Sequence, residues 1–257
     1  MNIHPTAIIH AKARLHPSVR VGPYSIIGEE VEIGEDVDIH SHVVIDGITQ
    51  IGEGCIFYPH SSIGLPPQDL KFKGEPTRLI IGKKNTFREY VTLNRGTKPG
   101  GGQTVIGDDN FFMAYCHVAH DTIMGNHIVM ANAATLGGHI TVGDYAVLGG
   151  LAAVHQFVRI GAHALIAGGT IVVQDIPPFV IASGNRSQLH GLNRIGLKRH
   201  GFSTEQIGAL KAVYKMIFRS RLPLREAVKQ ARERWSAVPE VEAMLSFVES
   251  SKRGICR

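Results

Sequence analysis

His117, His120, Asp121 and His139 are the residues of this sequence whose types and spacing could move a proton. An unperturbed imidazole titrates at about pH 6.5, so it can take a proton from a hydroxyl at neutral pH and, well placed, accelerate a reaction about 10²–10⁴-fold. A neighbouring carboxylate can orient the ring, which makes Asp121 the natural partner of His120. Gly138 offers something else: without a side chain it can turn its backbone N–H toward a developing oxyanion, a donor worth about 10²–10³-fold. His155 and Gln156 add polar groups further on. Linear order does not bring these residues together; only the fold can.

The elements that must do so are written in an apolar beat. Ile3, Ile9, Leu15, Val21, Ile27, Ile33, Ile39, Ile45, Ile51, Phe57 and Ile63 fall six apart; the beat resumes at Ile81, Phe87 and Leu93, then runs from Ile106 to Val172. A period of six is wrong for an α-helix. Alternation inside each sextet suits a short strand, because residues i and i−2 share a face. The i−2 sites are often small (Cys55, Cys116, Ala134, Ala146, Ala152, Ala164), so large and small residues share one interior. Each strand buries one face, and stacking builds the core.

The pattern resembles the left-handed parallel β-helix of hexapeptide-repeat acyltransferases, where three sextets close a triangular coil of eighteen residues. Handedness comes from that resemblance, since the usual crossover preference points the other way. The expected fold is mostly β: a left-handed parallel β-helix over 1–186, with loops at 64–80 and 94–105, then a C-terminal helical domain over 187–257. There, Ser203 to Gln206 reads as a capping box, followed by Ile207, Leu210, Tyr214, Ile217 and Phe218 at helical spacing. A second helix carries Leu224, Val228, Ala231 and Trp235, and a third starts near Pro239.

Eighteen residues per coil place His120, Gly138 and Gln156 in one column, with Asp121 under His139 and Ala119, Gly137 and His155 on the other side. From the residues alone two readings fit: a catalytic cluster, or outward histidines without a shared task. His4, His10 and His16 merely follow the beat at a surface position. A zinc site is not expected, because the His-x4-His pair of trimeric β-helix carbonic anhydrases is absent. Cys116 in the small inward slot reads as a buried thiol, not a nucleophile. The run Pro99 to Gly102 is no P-loop and reads as a flexible turn.

Three cysteines without a CxxC pair indicate no disulfide framework and a reducing compartment. Residues 122–143 carry no formal charge, yet Gly, His and Asn break them up too often for a membrane span. The formal charge of +5 is scattered until about residue 194, which favours a local acidic partner over nucleic acid. With no signal sequence visible at Met1, the reading is cytoplasmic.

A closer resemblance lies in particular segments: Gln68-Asp69-Leu70-Lys71, Gly74-Glu75-Pro76-Thr77-Arg78, His117-Val118-Ala119-His120-Asp121, Gly138-His139, Val154-His155-Gln156-Phe157, Gln174-Asp175-Ile176-Pro177-Pro178 and Gly196-Leu197-Lys198-Arg199. Together they resemble the acyl-carrier-protein–UDP-N-acetylglucosamine O-acyltransferases that open lipid A synthesis. The resemblance implies direct transfer of an (R)-3-hydroxyacyl chain from the carrier's thioester to the 3-hydroxyl of UDP-GlcNAc, without a cofactor or metal. His120 would be the base and Gly138 the oxyanion donor. Asp69, Lys71, His117, His139 and Gln156 would touch sugar or acyl chain, and Gln68, His155, Asn193 and Arg199 the nucleotide, at sites between subunits of a homotrimer. Gly168 would gauge acyl length, its missing side chain admitting roughly fourteen carbons. Asn94, Ile195 and His200 stand where the family usually has histidine, an acidic residue and arginine. From its charge alone, the basic run from Arg194 to Arg221 fits two readings, a patch that draws in the acidic carrier or a solvated helix face. An N-acyltransferase relative would carry a further domain ahead of its repeats, whereas this repeat begins at Ile3; a non-catalytic scaffold would need no convergence of His120 and Gly138.

Overall fold

A computed structural model describes residues 2–257. Sextet after sextet forms a strand of two residues, such as Ile26–Ile27 and Val44–Ile45, and every third strand pairs in parallel with the one a coil below. Three sheets of eleven, nine and eight strands result, and they wall a three-sided prism. Register advances by one coil at each step, as in Asn2↔Arg20 and Arg20↔Asp38. Beat residues fill the interior, where Phe57, Phe87 and Phe112 stack at 4.9 and 4.8 Å. The small i−2 residues Cys55, Cys116, Ala134 and Ala152 are fully buried beside them.

Corners are made by a residue three places after most beats that adopts positive φ, including Tyr24 (60°), Asp121 (57°), His139 (61°) and Phe157 (66°). Left-handed backbone costs a non-glycine residue roughly 1–2 kcal/mol. Stacking of the corner side chains offsets part of that: His139 lies on Phe157 at 4.4 Å and Tyr145 on His163 at 4.8 Å. The same geometry turns columns of the sequence into edges of the prism.

Both interruptions leave by one edge, between the sheet of Ser62–Leu65 and Thr92–Asn94 and the sheet of Arg78–Ile81 and Gln103–Ile106. They are shorter than the sequence suggested. Pairing of Arg78 with Gln103 and Leu79 with Thr104 extends the strands, so the loops contract to 66–77 and 95–102. The starts of the two loops are tied together: Asn94 Nδ2 donates to the carbonyl of Pro66 (3.0 Å) and the Arg95 guanidinium to that of Gly64 (3.0 Å).

The division placed at 186/187 falls in the turn of a hairpin, Val180–Ser183 with Gln188–Leu192, which ends the largest sheet with an antiparallel pair. Four helices follow: α1 (Arg194–Arg199), α2 (Thr204–Phe218), α3 (Leu224–Trp235) and α4 (Pro239–Glu249). The Ser203–Gln206 capping box is complete, and the short α1 was not expected. Past α4 the chain returns to the prism, where Asp175 bonds through its N–H to Gly254 and through its carbonyl to Cys256. The buried Asp175 carboxylate accepts from the Arg159 N–H (2.8 Å) and guanidinium (3.2 Å). No helix among the described residues is long and apolar enough to cross a membrane.

Candidate active site

The edge that releases both loops carries, directly above them, His120, Asp121, Gly138 and His139. Asp121 is the hub. Its side chain is fully buried, and its oxygens accept from the Thr97 N–H (2.8 Å), the Thr97 hydroxyl (2.6 Å) and His120 Nδ1 (2.7 Å). Its own N–H donates to Thr104 Oγ1 (2.8 Å). A charge removed from water needs such a full set of donors. With Nδ1 of His120 committed to the carboxylate, the neutral ring has its proton there and its lone pair on Nε2, the arrangement a general base requires. The ring is 13% exposed, shielded yet reachable.

Gly138 lies against that ring: a Cβ built on it would stand 2.6 Å from His120 Cε1 and 2.8 Å from Nε2. Its N–H meets no acceptor among the described residues. The reason is positional, because Pro5, Pro17, Pro23 and Pro59 occupy the equivalent corner site, where the backbone ladder makes no use of an N–H. His139 stands edge-on to His120 at 5.1 Å, with Nδ1 3.7 Å from Asp121 Oδ2, too long for a hydrogen bond. Burial lowers its pKa from 6.5, while the charges of Asp121 and Asp69 pull the other way. Burial, then His120, lowers that of His117, whose Nδ1 is 2.7 Å from Thr92 Oγ1. Both rings stay neutral at pH 7 and serve as hydrogen-bonding groups.

Asp69, acting electrostatically on His139, brings the loop that carries Gln68 and Lys71 to this cluster. Gln156 follows Gly138 one coil on, and Phe157 donates its N–H to the Gly138 carbonyl (3.0 Å). His155 Nδ1 lies 2.8 Å from the Arg253 guanidinium and 3.1 Å from the Gln156 carbonyl. Arginine can only donate, so the shorter contact makes Nδ1 an acceptor and leaves the His155 proton on Nε2. Asn193, Arg199 and Gly168 are elsewhere. Asn193 and Arg199 flank a cavity with Tyr145, Val147 and Leu165, and Gly168 stands over Gly150 on a third edge.

His120, Asp121 and His139 offer ligand atoms within 4.8 Å of one another, close enough to hold a cation together. The donor set argues against that use: a metal on Oδ2 of Asp121 would have to displace the Thr97 hydroxyl or His120. The glycine run is more than a flexible turn. Gly100 is needed because a Cβ there would fall 2.0 Å from the Asp121 carboxyl carbon, and Gly101 turns at φ 101°. Sequence reasoning missed Thr97, Thr104, Gly100 and Arg253, whose contacts with the cluster no spacing in the chain announces.

The chain is 54% identical over 217 residues, 84% of each chain, to the acyl-[acyl-carrier-protein]–UDP-N-acetylglucosamine O-acyltransferase of Thermodesulfovibrio yellowstonii. It belongs to that acyltransferase family. LpxA from Acinetobacter baumannii superposes on this acyltransferase with a TM-score of 0.97 and 41% identity, covering 99% of both chains. The Arabidopsis UDP-N-acetylglucosamine acyltransferase does so with 0.88 and 35%, covering 99% of this chain and 100% of its own. A family model described as UDP N-acetylglucosamine O-acyltransferase, domain 2, matches residues 175–256, and one for bacterial transferase hexapeptide repeats matches residues 12–47. The acyltransferase is thus a left-handed parallel β-helix with a helical C-terminal part.

Proposed function

We propose that this enzyme transfers an (R)-3-hydroxyacyl chain from acyl carrier protein directly to the 3-hydroxyl of UDP-N-acetylglucosamine, in the cytoplasm. One observation carries the mechanism: His120, its Nδ1 held by a buried carboxylate, lies against a glycine whose N–H is free. The sugar O3 attacks the thioester carbonyl while His120 Nε2 takes the hydroxyl proton. The oxyanion of the tetrahedral intermediate accepts from Gly138 N–H. Collapse breaks the C–S bond, and the imidazolium returns its proton to the departing thiolate, so no acyl-enzyme forms. Asp121 stabilises the imidazolium between these steps. The buried thiol of Cys116, its pKa pushed up to about 11 by desolvation, is unsuited to act as a nucleophile.

The separation of Asn193, Arg199 and Gly168 from His120 within one chain supports a homotrimer. A neighbouring copy that presents the sheet of Val147 and Leu165 to the His120 edge brings nucleotide and acyl contacts to the base. Gln68, Asp69, Lys71, His117, His139 and Gln156 then surround the sugar and the start of the acyl chain, with His155 on the nucleotide.

The test is incubation with UDP-GlcNAc and a panel of acyl-carrier thioesters, followed by product mass. An ester of the intact nucleotide sugar is expected; no transfer, or an acylated protein on the reaction path, refutes the reading. The same panel checks the ruler. A Cβ at Gly168 would meet only the Gly150 backbone, with its oxygen at 3.2 Å, so a methionine there fits with a small shift of that backbone. Gly168→Met is expected to shorten the preferred chain, with discrimination of about 10–200-fold per methylene as an upper scale. An unchanged chain-length profile removes Gly168 from that role.

A further inference from the structure

We propose that His163 is a positioning residue for the nucleotide: it grips both ends of α1, the helix that carries Arg199, and so sets affinity for the UDP group. This rests on the reading of Asn193 and Arg199 as nucleotide contacts. Six residues are too few for a helix to hold its shape and place alone. At its start, the Asn193 side chain caps Gly196 N–H (3.1 Å) and donates to the His163 carbonyl (3.0 Å). At its end, His200 Nδ1 lies 3.1 Å from His163 Nδ1. One residue of the prism therefore ties down both termini. Its ring has little freedom, stacked on Tyr145 at 4.8 Å and met edge-on by Phe202 at 5.0 Å.

Two Nδ1 atoms at this distance need one proton between them, one nitrogen donating and the other accepting. If both rings are protonated, two N–H groups oppose each other and the grip on the end of α1 is lost. The titratable groups facing His163 are His200 from α1 and Asp144 and Tyr145 from the coil below. Burial, then His200, depresses His163 from 6.5 to about 4, against the pull of Asp144. The docked form thus prefers the neutral ring, and its contribution is complete above pH 6.5, fades as the pH falls and is gone below about 4.

UDP-GlcNAc binding to the full chain by calorimetry, with steady-state kinetics, tests this; the sugar-linked diphosphate keeps its charge across the window. His163→Phe preserves the stacked ring and removes Nδ1. At about pH 7.5 it is expected to weaken UDP-GlcNAc binding about 2–10-fold, the scale of one hydrogen bond, with kcat within about twofold and the KM for acyl donor unchanged. His163→Asn, which returns a non-titrating amide near Nδ1, is expected to recover affinity and to flatten the loss that the unsubstituted protein shows as the pH falls below about 6.5. Unchanged binding in His163→Phe overturns the proposal. So does equal weakening toward both substrates, or a pH profile that His163→Asn leaves unaltered. Failure of the unsubstituted protein to bind UDP-GlcNAc overturns the nucleotide reading itself, and the proposal with it.

Discussion

Replacing His120 by alanine is expected to lower kcat by about 10²–10⁴-fold, with the KM for UDP-GlcNAc changed by no more than a few-fold. The imidazole is the one group placed to take a hydroxyl proton with its second nitrogen already committed to a carboxylate. In the proposed reading the hydrogen bonds to the ground-state sugar come from the surrounding loop and rings, so binding should outlast the base. The fold should outlast it as well, because the ring lies outside the beat that fills the prism. Residual turnover above background measures what Gly138 N–H and substrate alignment supply alone. Asp121→Asn should fall between: one amide oxygen cannot accept from the Thr97 N–H, the Thr97 hydroxyl and His120 Nδ1, and the ring loses its fixed tautomer. Single-turnover rates with pre-bound substrates separate these losses from binding. Full activity in His120→Ala would remove the base from the mechanism.

What the sequence made legible follows from where its period is unbroken. The coil arithmetic that joined His120 to Gly138 holds from Gln103 onward, as in His117↔Thr135 and Thr135↔Ala153. It holds equally before the loops, as in Ile26↔Val44, and fails only across them, because the inserted residues stretch the step from Thr92 to His117, which pair one coil apart although they are 25 apart in sequence. Residues delivered by those loops therefore carried no periodic signal. Thr97 and Gly100 reach Asp121 by loop packing alone, and Arg253 reaches His155 from the far end of the chain. Asn193 and Arg199 were legible only through family likeness, and one chain leaves them on a different edge from His120. Long-range contacts made by aperiodic segments have no counterpart in a sextet pattern. The short α1 escaped for a related reason: its ends are fixed by His163, not by an apolar stripe of its own.

Gly138→Ala should be nearly as damaging as loss of the histidine, although it adds a single methyl group. That methyl would stand 2.6 Å from His120 Cε1 and 2.8 Å from Nε2, inside any real contact distance, and 3.1 Å from Nδ1. The backbone itself accepts a side chain, since prolines fill the equivalent corner at Pro5, Pro17, Pro23 and Pro59, so the chain should fold with its melting temperature little changed. The ring has to give way. Turning it breaks the bond to Asp121, whose other oxygen positions are held by Thr97, and a displacement of about 1 Å at a reacting group can cost about 10²-fold. The expected outcome is a kcat lowered about 10²–10⁴-fold, with UDP-GlcNAc still bound. The cause is testable through non-additivity. In a His120→Ala background the methyl meets empty space, and the N–H for the oxyanion remains, so Gly138→Ala should then cost almost nothing. Losses that multiply in the double variant would mean that the glycine acts apart from the imidazole, and the stacked pair would no longer explain the site.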